Sequence, residues 1–378
     1  MRVLVLGAGF GGLELTTRLS EVLGDETDVV LIDQSDAFVF GFAKLDVMFG
    51  KRDAAAVRNR YADFVKPGVQ FVQTTIRSID PVAKKVETDA GPFEGDVLVV
   101  ALGADLDPAG TPGLLEDGHE FYSVAGATAA RDVIDRFEGG RVVIAVCGAP
   151  YKCPPAPSET ALLIHAHLVA RGVREASTVT LVMPLPVPIP PAPDASKAVL
   201  AAFEERGIEF LPSRVVSHLD VERHVAVVAE DGAEIPYDLL LGVPKHLVPE
   251  VVAASGLAVD GWVPVDPATL ETSFPGVYAV GDVTSIGTPK AGVFAEGQAL
   301  TLADRLVALA RGEGDLPTYG GRGICYLEFG DQRVAEVDVT FLPGQTPFGI
   351  FREPSAEQAE GKKRWASSRV ERWFGSSR

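Results

Sequence analysis

Residues 2–33, RVLVLGAGFGGLELTTRLSEVLGDETDVVLID, decide the fold. An apolar run leads into the G-x-G-x-x-G glycines, a helical pattern follows, and a second apolar run ends in Asp33, so the order predicts strand, turn, helix and strand. Gly7 permits the tight turn, Gly9 admits a pyrophosphate close to the backbone, and Gly12 lets the helix pack on the strand. Asp33 lies 21 residues after Gly12, where a ribose hydroxyl is expected to bind. We therefore predict a dinucleotide site, the alternative being a glycine turn kept for packing alone.

The composition is that of a folded globular chain. The 378 residues are 47% hydrophobic and 23% charged, and their length suits two to three domains. The net charge of −18 disfavours nucleic acid, and three cysteines are too few for a disulfide scaffold or a four-thiolate zinc site, so we expect neither nucleic acid nor a metal. No run approaches the ~18 apolar residues of a membrane span, and no leader precedes the first strand. We expect a cytoplasmic protein, with peripheral contact at the inner face of the cell membrane left open.

Two later segments complete the first nucleotide site. Residues 93–104, FEGDVLVVALGA, are predicted to form a buried strand ending at Gly103, and residues 271–283, ETSFPGVYAVGDV, end in Gly281 and Asp282. An N-terminal glycine loop with a late Gly-Asp strand resembles the two-dinucleotide-binding flavoproteins of the glutathione-reductase-like fold. The resemblance implies an α/β protein with two Rossmann-like dinucleotide-binding domains and a small C-terminal module. It also implies FAD as cofactor, with Asp282 accepting hydrogen bonds from ribityl hydroxyls.

The second nucleotide domain of that superfamily has its outline here but lacks its glycine motif. A helix over 128–137 precedes the strand RVVIAV (141–146), and the strand TVTLVM (178–183) follows later. After the first strand, residues 147–157 read CGAPYKCPPAP, with one glycine and four prolines that remove N–H donors. Met183 ends the second strand, where an acid or an arginine would select NADH or NADPH. We therefore expect no ordinary NAD(P)H site, the alternative being an unusual one built from other loops.

Three further segments carry a second signal: PYKCPPAPSE (150–159), residues 261–300, and GICYLEFG (323–330). Together they resemble the family of sulfide:quinone oxidoreductase and the flavoprotein subunit of flavocytochrome c sulfide dehydrogenase. The resemblance implies that Cys153 and Cys325 form a redox disulfide, or a sulfur-bridged pair, beside the flavin. Sulfide would react with this pair by thiol–disulfide exchange, and the electrons would pass through FAD to a quinone. The alternative is that both cysteines are small buried packing residues.

The same resemblance implies roles for other side chains. Glu159 is the expected base, with a pKa raised by an apolar pocket. Lys290 is expected to stabilise negative charge on the reduced flavin, the alternative being a surface lysine. Cys147 ends a strand that should be buried, so we expect inert packing, with a third redox thiol left open. The residues expected to contact the cofactor are Gly7, Gly9, Phe10, Gly11, Gly12, Asp33, Gly103, Gly281, Asp282, Lys290, Ala291 and Gly292.

Three segments bear on cofactor attachment, acceptor and membrane contact. Residues 36–49 contain no cysteine, unlike the covalently flavinylated members of the family, so we expect FAD to be bound without a covalent tether. Residues 341–351, FLPGQTPFGIF, carry an apolar cluster that could line a quinone pocket. Residues 362–375, KKRWASSRVERWFG, place their apolar residues on one face of a basic helix. That pattern is typical of a membrane-surface helix, and equally of a helix docked on its own protein or on the twin subunit of a homodimer.

These expectations define a division of the chain and a function. Residues 1–107 with 258–318 form the FAD domain, 108–257 a degenerate NAD(P)-like domain with the cysteine loop, and 319–378 the C-terminal module. The expected activity is FAD-dependent oxidation of sulfide, or of a related small sulfur compound, with a quinone as acceptor. One competitor is a type II NADH:quinone oxidoreductase, and another is a flavin-binding electron-transfer subunit that needs a partner. A third is a persulfide- or polysulfide-handling enzyme that runs the same cysteines in reverse.

Overall fold

The computed structural model describes residues 1–375. The elements of its first stretch are β1 (Arg2–Leu6), α1 (Phe10–Leu23), β2 (Asp28–Asp33), β3 (Ala37–Phe38), α2 (Ala43–Met48), β4 (Asn59–Arg60), β5 (Val69–Gln73), β6 (Ile76–Asp80), β7 (Lys85–Thr88), β8 (Gly91–Glu94), β9 (Val97–Val100) and β10 (Asp105–Asp107). The elements of the middle stretch are α3 (Leu114–Asp117), β11 (His119–Glu120), α4 (Val124–Arg136), β12 (Gly140–Val146), α5 (Ala156–Ala170), β13 (Ser177–Val182), α6 (Pro193–Glu205), β14 (Ile208–Leu211), β15 (Val216–Asp220), β16 (Val225–Val228), β17 (Glu234–Pro236), β18 (Leu239–Val243), β19 (Lys245–Leu247) and α7 (Glu250–Ala253). The last stretch holds β20 (Val277–Ala279), α8 (Gly292–Arg311), β21 (Arg322–Gly330), β22 (Arg333–Thr340), β23 (Phe348–Ser355) and α9 (Ala356–Phe374).

The first sheet is parallel and has the strand order β20-β9-β1-β2-β5. Its central strand β1 pairs with β2 on one side and β9 on the other, and its residues 3–6 are fully buried. A parallel strand covered on both faces needs apolar residues throughout, which explains why the pattern of β1 does not alternate. Strand β20 joins the same sheet from more than 170 residues further along the chain, as the Gly-Asp motif predicted.

A second parallel sheet, β11-β18-β12-β13-β14, lies in the middle stretch, and the antiparallel sheet β21-β22-β23 follows near the C-terminus. Two parallel α/β sheets confirm the predicted fold class. The strands of the three predicted domains lie in separate sheets. The exception is the two-stranded antiparallel sheet of β10 and β19, which joins a strand of the predicted FAD domain to a strand of the predicted NAD(P)-like domain. The domain boundaries themselves stay a prediction.

The C-terminal helix α9 docks on its own protein. Trp373 is fully buried, and its indole Nε1 donates a hydrogen bond to Glu14 Oε2 at 3.0 Å. Arg372 binds the same carboxylate, with 2.6 Å between Nη1 and Glu14 Oε1, and it binds Glu21 through Nε at 2.9 Å. Both acids lie on α1, so α9 is fastened to the helix of the glycine motif. Of the interpretations left open for residues 362–375, docking on the same chain is the one that the structure shows.

An aromatic cluster fills the contact between α9 and the glycine loop. The ring centroid of Trp373 lies 5.8 Å from that of Phe10 and 5.5 Å from that of Phe38, both in edge-to-face geometry. Trp365 approaches Phe10 at 6.1 Å and Phe40 at 5.9 Å. Trp373 is therefore buried by the protein itself, while the other apolar residues of this face, Trp365, Val370 and Phe374, are half-buried. Within residues 1–375, no helix combines the length and the apolarity needed to cross a membrane.

We predict that Trp373→Ala lowers the free energy of unfolding by about 3–5 kcal/mol, because it removes a fully buried aromatic side chain and leaves Glu14 without one hydrogen bond. Urea denaturation followed by circular dichroism measures the change. Lys363→Ala on the same helix is the control, since its side chain is 67% exposed and it should leave the midpoint unchanged. Equal midpoints for the two variants would contradict the docking of α9.

Candidate active site

A cavity of about 920 Å³ opens at the carboxyl ends of the first sheet. Ligands of parallel α/β sheets bind at this edge, because the loops that follow the strands converge there. All but one of the residues predicted to contact the cofactor line the cavity: Gly7, Gly9, Phe10, Gly11, Asp33, Gly103, Gly281, Asp282, Lys290, Ala291 and Gly292. Gly12 is the exception and lies beneath the loop.

Each of the three motif glycines is required for a different structural reason. Gly7 has a φ of +99°, and a Cβ there would lie 2.4 Å from Ala101 O. A Cβ on Gly12 would lie 1.9 Å from Gly7 O, so Gly12 permits the close packing of α1 on the end of β1. Gly9 has an ordinary φ of −78°, and no protein atom lies within 4 Å of where its Cβ would be. The space beside Gly9 is therefore left open by the fold.

The N-terminus of α1 and the carboxylate of Asp33 form one polar end of the cavity. Helix α1 begins at Phe10 without a side-chain cap, so its first N–H groups are available for an anion. Asp33 Oδ2 accepts from Ala8 N at 2.7 Å, and its Oδ1 accepts from Ser35 N at 2.8 Å. These bonds hold the carboxylate at the end of β2, where it lines the cavity.

At the other polar end, Asp282 is surrounded by lysines. It lies in a short 3₁₀ turn, Gly281–Val283, directly after β20. Burial raises the pKa of its carboxyl, and the cations of Lys152, Lys290 and Lys44 act against that rise. Lys44 and Lys152 also line the cavity, and sequence reasoning missed both. Burial lowers the pKa of Lys44 to about 8 and also lowers the pKa of Lys152.

Lys290 lies at the cavity wall, but its ammonium group already has protein partners. Nζ donates to Asp282 O at 2.6 Å and to Thr284 O at 3.2 Å, and it lies 3.2 Å from the centroid of the Trp262 ring. Its residue precedes α8, which begins at Gly292, instead of opening that helix. These contacts fasten the Gly-Asp turn, and a role of Lys290 toward a reduced flavin stays a prediction.

The residues around the cavity fit FAD. The open space at Gly9 and the uncapped helix N-terminus suit a pyrophosphate, which needs close backbone approach and N–H donors. The carboxylate of Asp33 suits ribose hydroxyls, and Asp282 offers oxygen acceptors to a polyol chain at the far end. Both ends of a long dinucleotide therefore find the expected chemistry in one continuous cavity.

Cys153 lines the same cavity from the proline-rich loop after β12. Its φ of +51° lies in the left-handed region, which is unusual for a residue other than glycine. The conformation is held on both sides, since Cys153 N donates to Lys290 O at 2.7 Å and Cys153 O accepts from Ala156 N at 2.9 Å. Burial raises the pKa of the Cys153 thiol, and the negative charges of Glu159 and Cys325 raise it further. The loop that lacks the nicotinamide glycine motif thus faces the first cavity.

Glu159 lies on the first turn of α5 and is only 2% exposed. Its Oε1 accepts a hydrogen bond from Glu328 N at 2.9 Å, a contact between α5 and β21. Burial raises the pKa of Glu159 to about 7, while the cation of Lys362 and the bond from Glu328 limit the rise. The predicted raised pKa of this carboxyl is therefore present, and it has the predicted cause.

Cys325 lies within β21 and is absent from the cavity lining. Burial raises its pKa to about 12, and the charge of Glu159 acts in the same direction. Cys153 and Cys325 are half-buried free thiols, and the charge of the buried Glu159 carboxylate raises the pKa of both. Whether the two cysteines act as a pair stays a prediction.

Cys147 belongs to a separate apolar cluster with Leu114 and Val143. It is fully buried, its Sγ lies 3.7 Å from Ala145 O, and burial raises its pKa to about 12. These surroundings agree with inert packing.

The apolar segment 341–351 lies apart from the FAD cavity, and its role in a quinone pocket stays a prediction. Phe341 packs against Phe294 with 5.4 Å between ring centroids, whereas Phe348 and Ile350 are more than half exposed on β23. Phe348 and Ile350 share the exposed face of β23, an edge strand, whereas Phe351 lies on its opposite, half-buried face. None of them is among the residues that line the cavity.

The fold and the cavity define an FAD-dependent oxidoreductase with two dinucleotide-binding folds. A family model described as pyridine nucleotide-disulphide oxidoreductase matches residues 1–299, and the chain belongs to this family.

The relatives distinguish two branches. The chain is 26% identical to the mitochondrial sulfide:quinone oxidoreductase of Mus musculus over 368 residues, which cover 93% of this chain and 81% of the mouse protein. The X-ray structure of the sulfide:quinone oxidoreductase from Aquifex aeolicus matches with a TM-score of 0.84 and 22% identity, covering 100% of this chain and 93% of that one. A type II NADH:quinone oxidoreductase of Staphylococcus saprophyticus is 35% identical over 146 residues, which cover 36% of this chain and 35% of that protein. The resemblance to sulfide:quinone oxidoreductases is confirmed and extends along most of the chain.

We predict that Gly9→Ala leaves the fold intact and weakens FAD binding by about tenfold or more, equivalent to ~1.4 kcal/mol, because the new Cβ enters the open space beside the helix N-terminus. Flavin absorbance during reconstitution of the apoprotein measures the affinity. Gly314→Ala, which also meets no atom within 4 Å but lies away from the cavity, is the matched control. Full FAD affinity in Gly9→Ala would show that the pyrophosphate binds elsewhere.

Proposed function

We propose that this protein oxidises sulfide, or a related small sulfur species, through Cys153 and Cys325 and passes the electrons through FAD to a quinone. The observation that carries the proposal is that Cys153 and Glu159 line the cavity that fits FAD, while Glu159 is hydrogen-bonded to β21, the strand that carries Cys325. A sulfur nucleophile next to a carboxyl with a pKa near 7 has the two parts that sulfur exchange needs.

Both cysteines are free thiols in the structure, so the proposed chemistry first requires their oxidation to a disulfide, a loss of two electrons and two protons for which FAD, when bound, would be the electron acceptor. Hydrosulfide attacks one sulfur, the Cys153–Cys325 bond breaks, and a persulfide forms on one cysteine while the other leaves as a thiolate. Glu159 is the base that we propose takes the proton of the hydrosulfide, because its charge acts on both thiols and burial raises its pKa to about 7. FAD, when bound, supplies a two-electron acceptor in the same cavity. Because residues 36–49 contain no cysteine, we infer that FAD is held without a covalent bond.

The quinone acceptor is proposed from the similarity to enzymes named for quinone reduction. A quinone dissolves in membranes, so we also propose peripheral contact with a membrane surface. That contact has to use a surface other than the one at Trp373 on α9, because Trp373 is buried against the glycine loop.

NADH oxidation is the second candidate function, and the 35% identity to the Staphylococcus enzyme over 146 residues favours it. Against it, residues 147–157 retain one glycine and four prolines where a nicotinamide motif would be expected. The loop also presents Lys152 and Cys153 to the cavity already assigned to FAD.

We predict that sulfide, and not NADH, bleaches the flavin of the anaerobic holoenzyme. Cys153→Ser and Cys325→Ser should abolish the response, because each removes one sulfur of the exchanging pair. Cys147→Ala is the matched control and should respond like the wild type, since Cys147 packs in a separate cluster. Bleaching by NADH that survives in both serine variants would assign the protein to the NADH branch instead.

We predict that Glu159→Gln slows bleaching by sulfide by about 10²-fold, since it keeps the size of the side chain but cannot take a proton. The pH profile of the wild type should contain an inflection near the Glu159 pKa of about 7 that is missing from the variant. Stopped-flow absorbance gives both profiles, and the ionisation of dissolved sulfide is common to both proteins. Superimposable profiles would exclude Glu159 as the base.

A further inference from the structure

Lys362 of α9 is a buried lysine that points into the protein. Its side chain is 12% exposed, and Nζ lies 2.7 Å from Glu328 Oε1 and 4.8 Å from the centroid of the Phe42 ring. Its neighbour Lys363 has a side chain 67% exposed and pairs with Glu360 on the same helix. Lysine side chains are seldom buried unless they are paired with an acid, so the burial of Lys362 needs an explanation.

Glu328, the ion-pair partner of Lys362, also forms a hydrogen bond with Glu159. The backbone N–H of Glu328 donates to Glu159 Oε1 at 2.9 Å, while its side-chain carboxylate binds the ammonium of Lys362. Burial opposes the charge on Lys362, but the carboxylates of Glu159 and Glu328 outweigh it and leave the pKa of Lys362 raised. Lys362 is therefore a permanent cation near neutral pH, next to a carboxyl that titrates there.

Helix α9 also packs on α1, β22 and β23, where Glu14, Glu336 and Arg352 are paired with arginines or with each other. The titratable groups that act on Lys362, Glu159 or their neighbours come from α2, α5 and β21. They are Asp46 and Lys51 from α2 and its following turn, Arg52 beyond them, Cys153 and Glu159 from the proline-rich loop and α5, and Cys325 and Glu328 from β21. The cation of Lys362 lowers the pKa of Glu159 and of Cys153, and Lys51 acts on Glu159 in the same direction. Lys362 is the larger of these two influences on Glu159.

We propose that Lys362 is a positioning residue for the sulfur chemistry: with Glu328 as its counter-charge, it sets the pH range over which Glu159 holds or releases its proton. The proposal rests on the role of Glu159 as base in the proposed function. Helix α9 thereby belongs to the active site, although none of its residues lines the FAD cavity.

Lys362 and Glu328 shift the pKa of Glu159 in opposite directions. A purely structural role of the ion pair would not produce opposite shifts. Lys362→Met removes the stabilising cation, so the midpoint of Glu159 should rise by about one pH unit or more. Glu328→Gln removes a carboxylate that repels Glu159, and the Lys362 cation then has Glu159 as its remaining counter-charge. The protonation midpoint of Glu159 should therefore fall. Glu328→Gln also keeps the backbone N–H that binds Glu159.

The experiment is an infrared difference titration of the oxidised holoenzyme, in which the carboxyl band of Glu159 is identified by its loss in Glu159→Gln. Lys362→Met should raise its midpoint, Glu328→Gln should lower it, and Lys362→Arg, which keeps the charge, should stay near the wild type. Lys363→Met is the matched surface control and should not shift it. If Lys362→Met fails to fold, the fall in Glu328→Gln and the rescue in Lys362→Arg still decide the proposal.

Opposite shifts support the proposal, whereas shifts in one direction, or none, overturn it and leave Lys362 as a clamp between α9 and β21. Bleaching by sulfide is then followed against pH in the same variants, and its inflection should move with the infrared midpoint. A wild-type holoenzyme that sulfide does not bleach would refute the proposed function, and the infrared titration would still report separately on Lys362.

Discussion

Helix α1 can begin where it does only because Gly12 has no side chain. The backbone of Gly12 packs so closely on Gly7 O that a Cβ would lie 1.9 Å from it, and this contact fixes the helix at the end of β1. The uncapped N–H groups of α1 then point toward the open space beside Gly9. Asp33 reaches back to Ala8 N and closes the same turn from β2. Every other part of the cavity is arranged around this one close approach, including the return of β20 with Asp282.

Buried charges organise the other end of the cavity and the region behind it. Three lysines face Asp282, and a fourth, Lys362, faces Glu159 and Glu328. In water these pairs would contribute little, but removal from solvent makes each charge depend on its neighbours. The raised pKa of Glu159 and the raised pKa of the Cys153 thiol follow from the same burial. The sulfur group and the C-terminal helix are therefore parts of a single electrostatic unit.

The first nucleotide-binding half could be predicted from the sequence because its determinants are local. Glycine spacing, apolar runs and the position of Asp33 all lie within one stretch, and the structure places them together. Lys44, Lys152 and Lys362 could not be found this way, because a lysine in a helical or loop pattern is usually exposed and only tertiary packing buries it. The tail pattern fits a membrane surface and a protein surface equally well, and Glu14, which decides between them, lies more than 340 residues away. In segment 341–351 the sequence did not show which apolar residues would be covered, because Phe348 and Ile350 share the exposed face of an edge strand while Phe351 lies on the other face.

The left-handed backbone of Cys153 has a consequence for how this chain tolerates change. An L-residue in that conformation is destabilised by roughly 1–2 kcal/mol, a strain that glycine does not experience. Folding alone would favour glycine at this position, while the proposed sulfur chemistry requires a thiol. Under the proposed function, stability and reactivity select different residues at position 153, and a search for more thermostable variants would tend to discard the side chain that the proposed reaction needs.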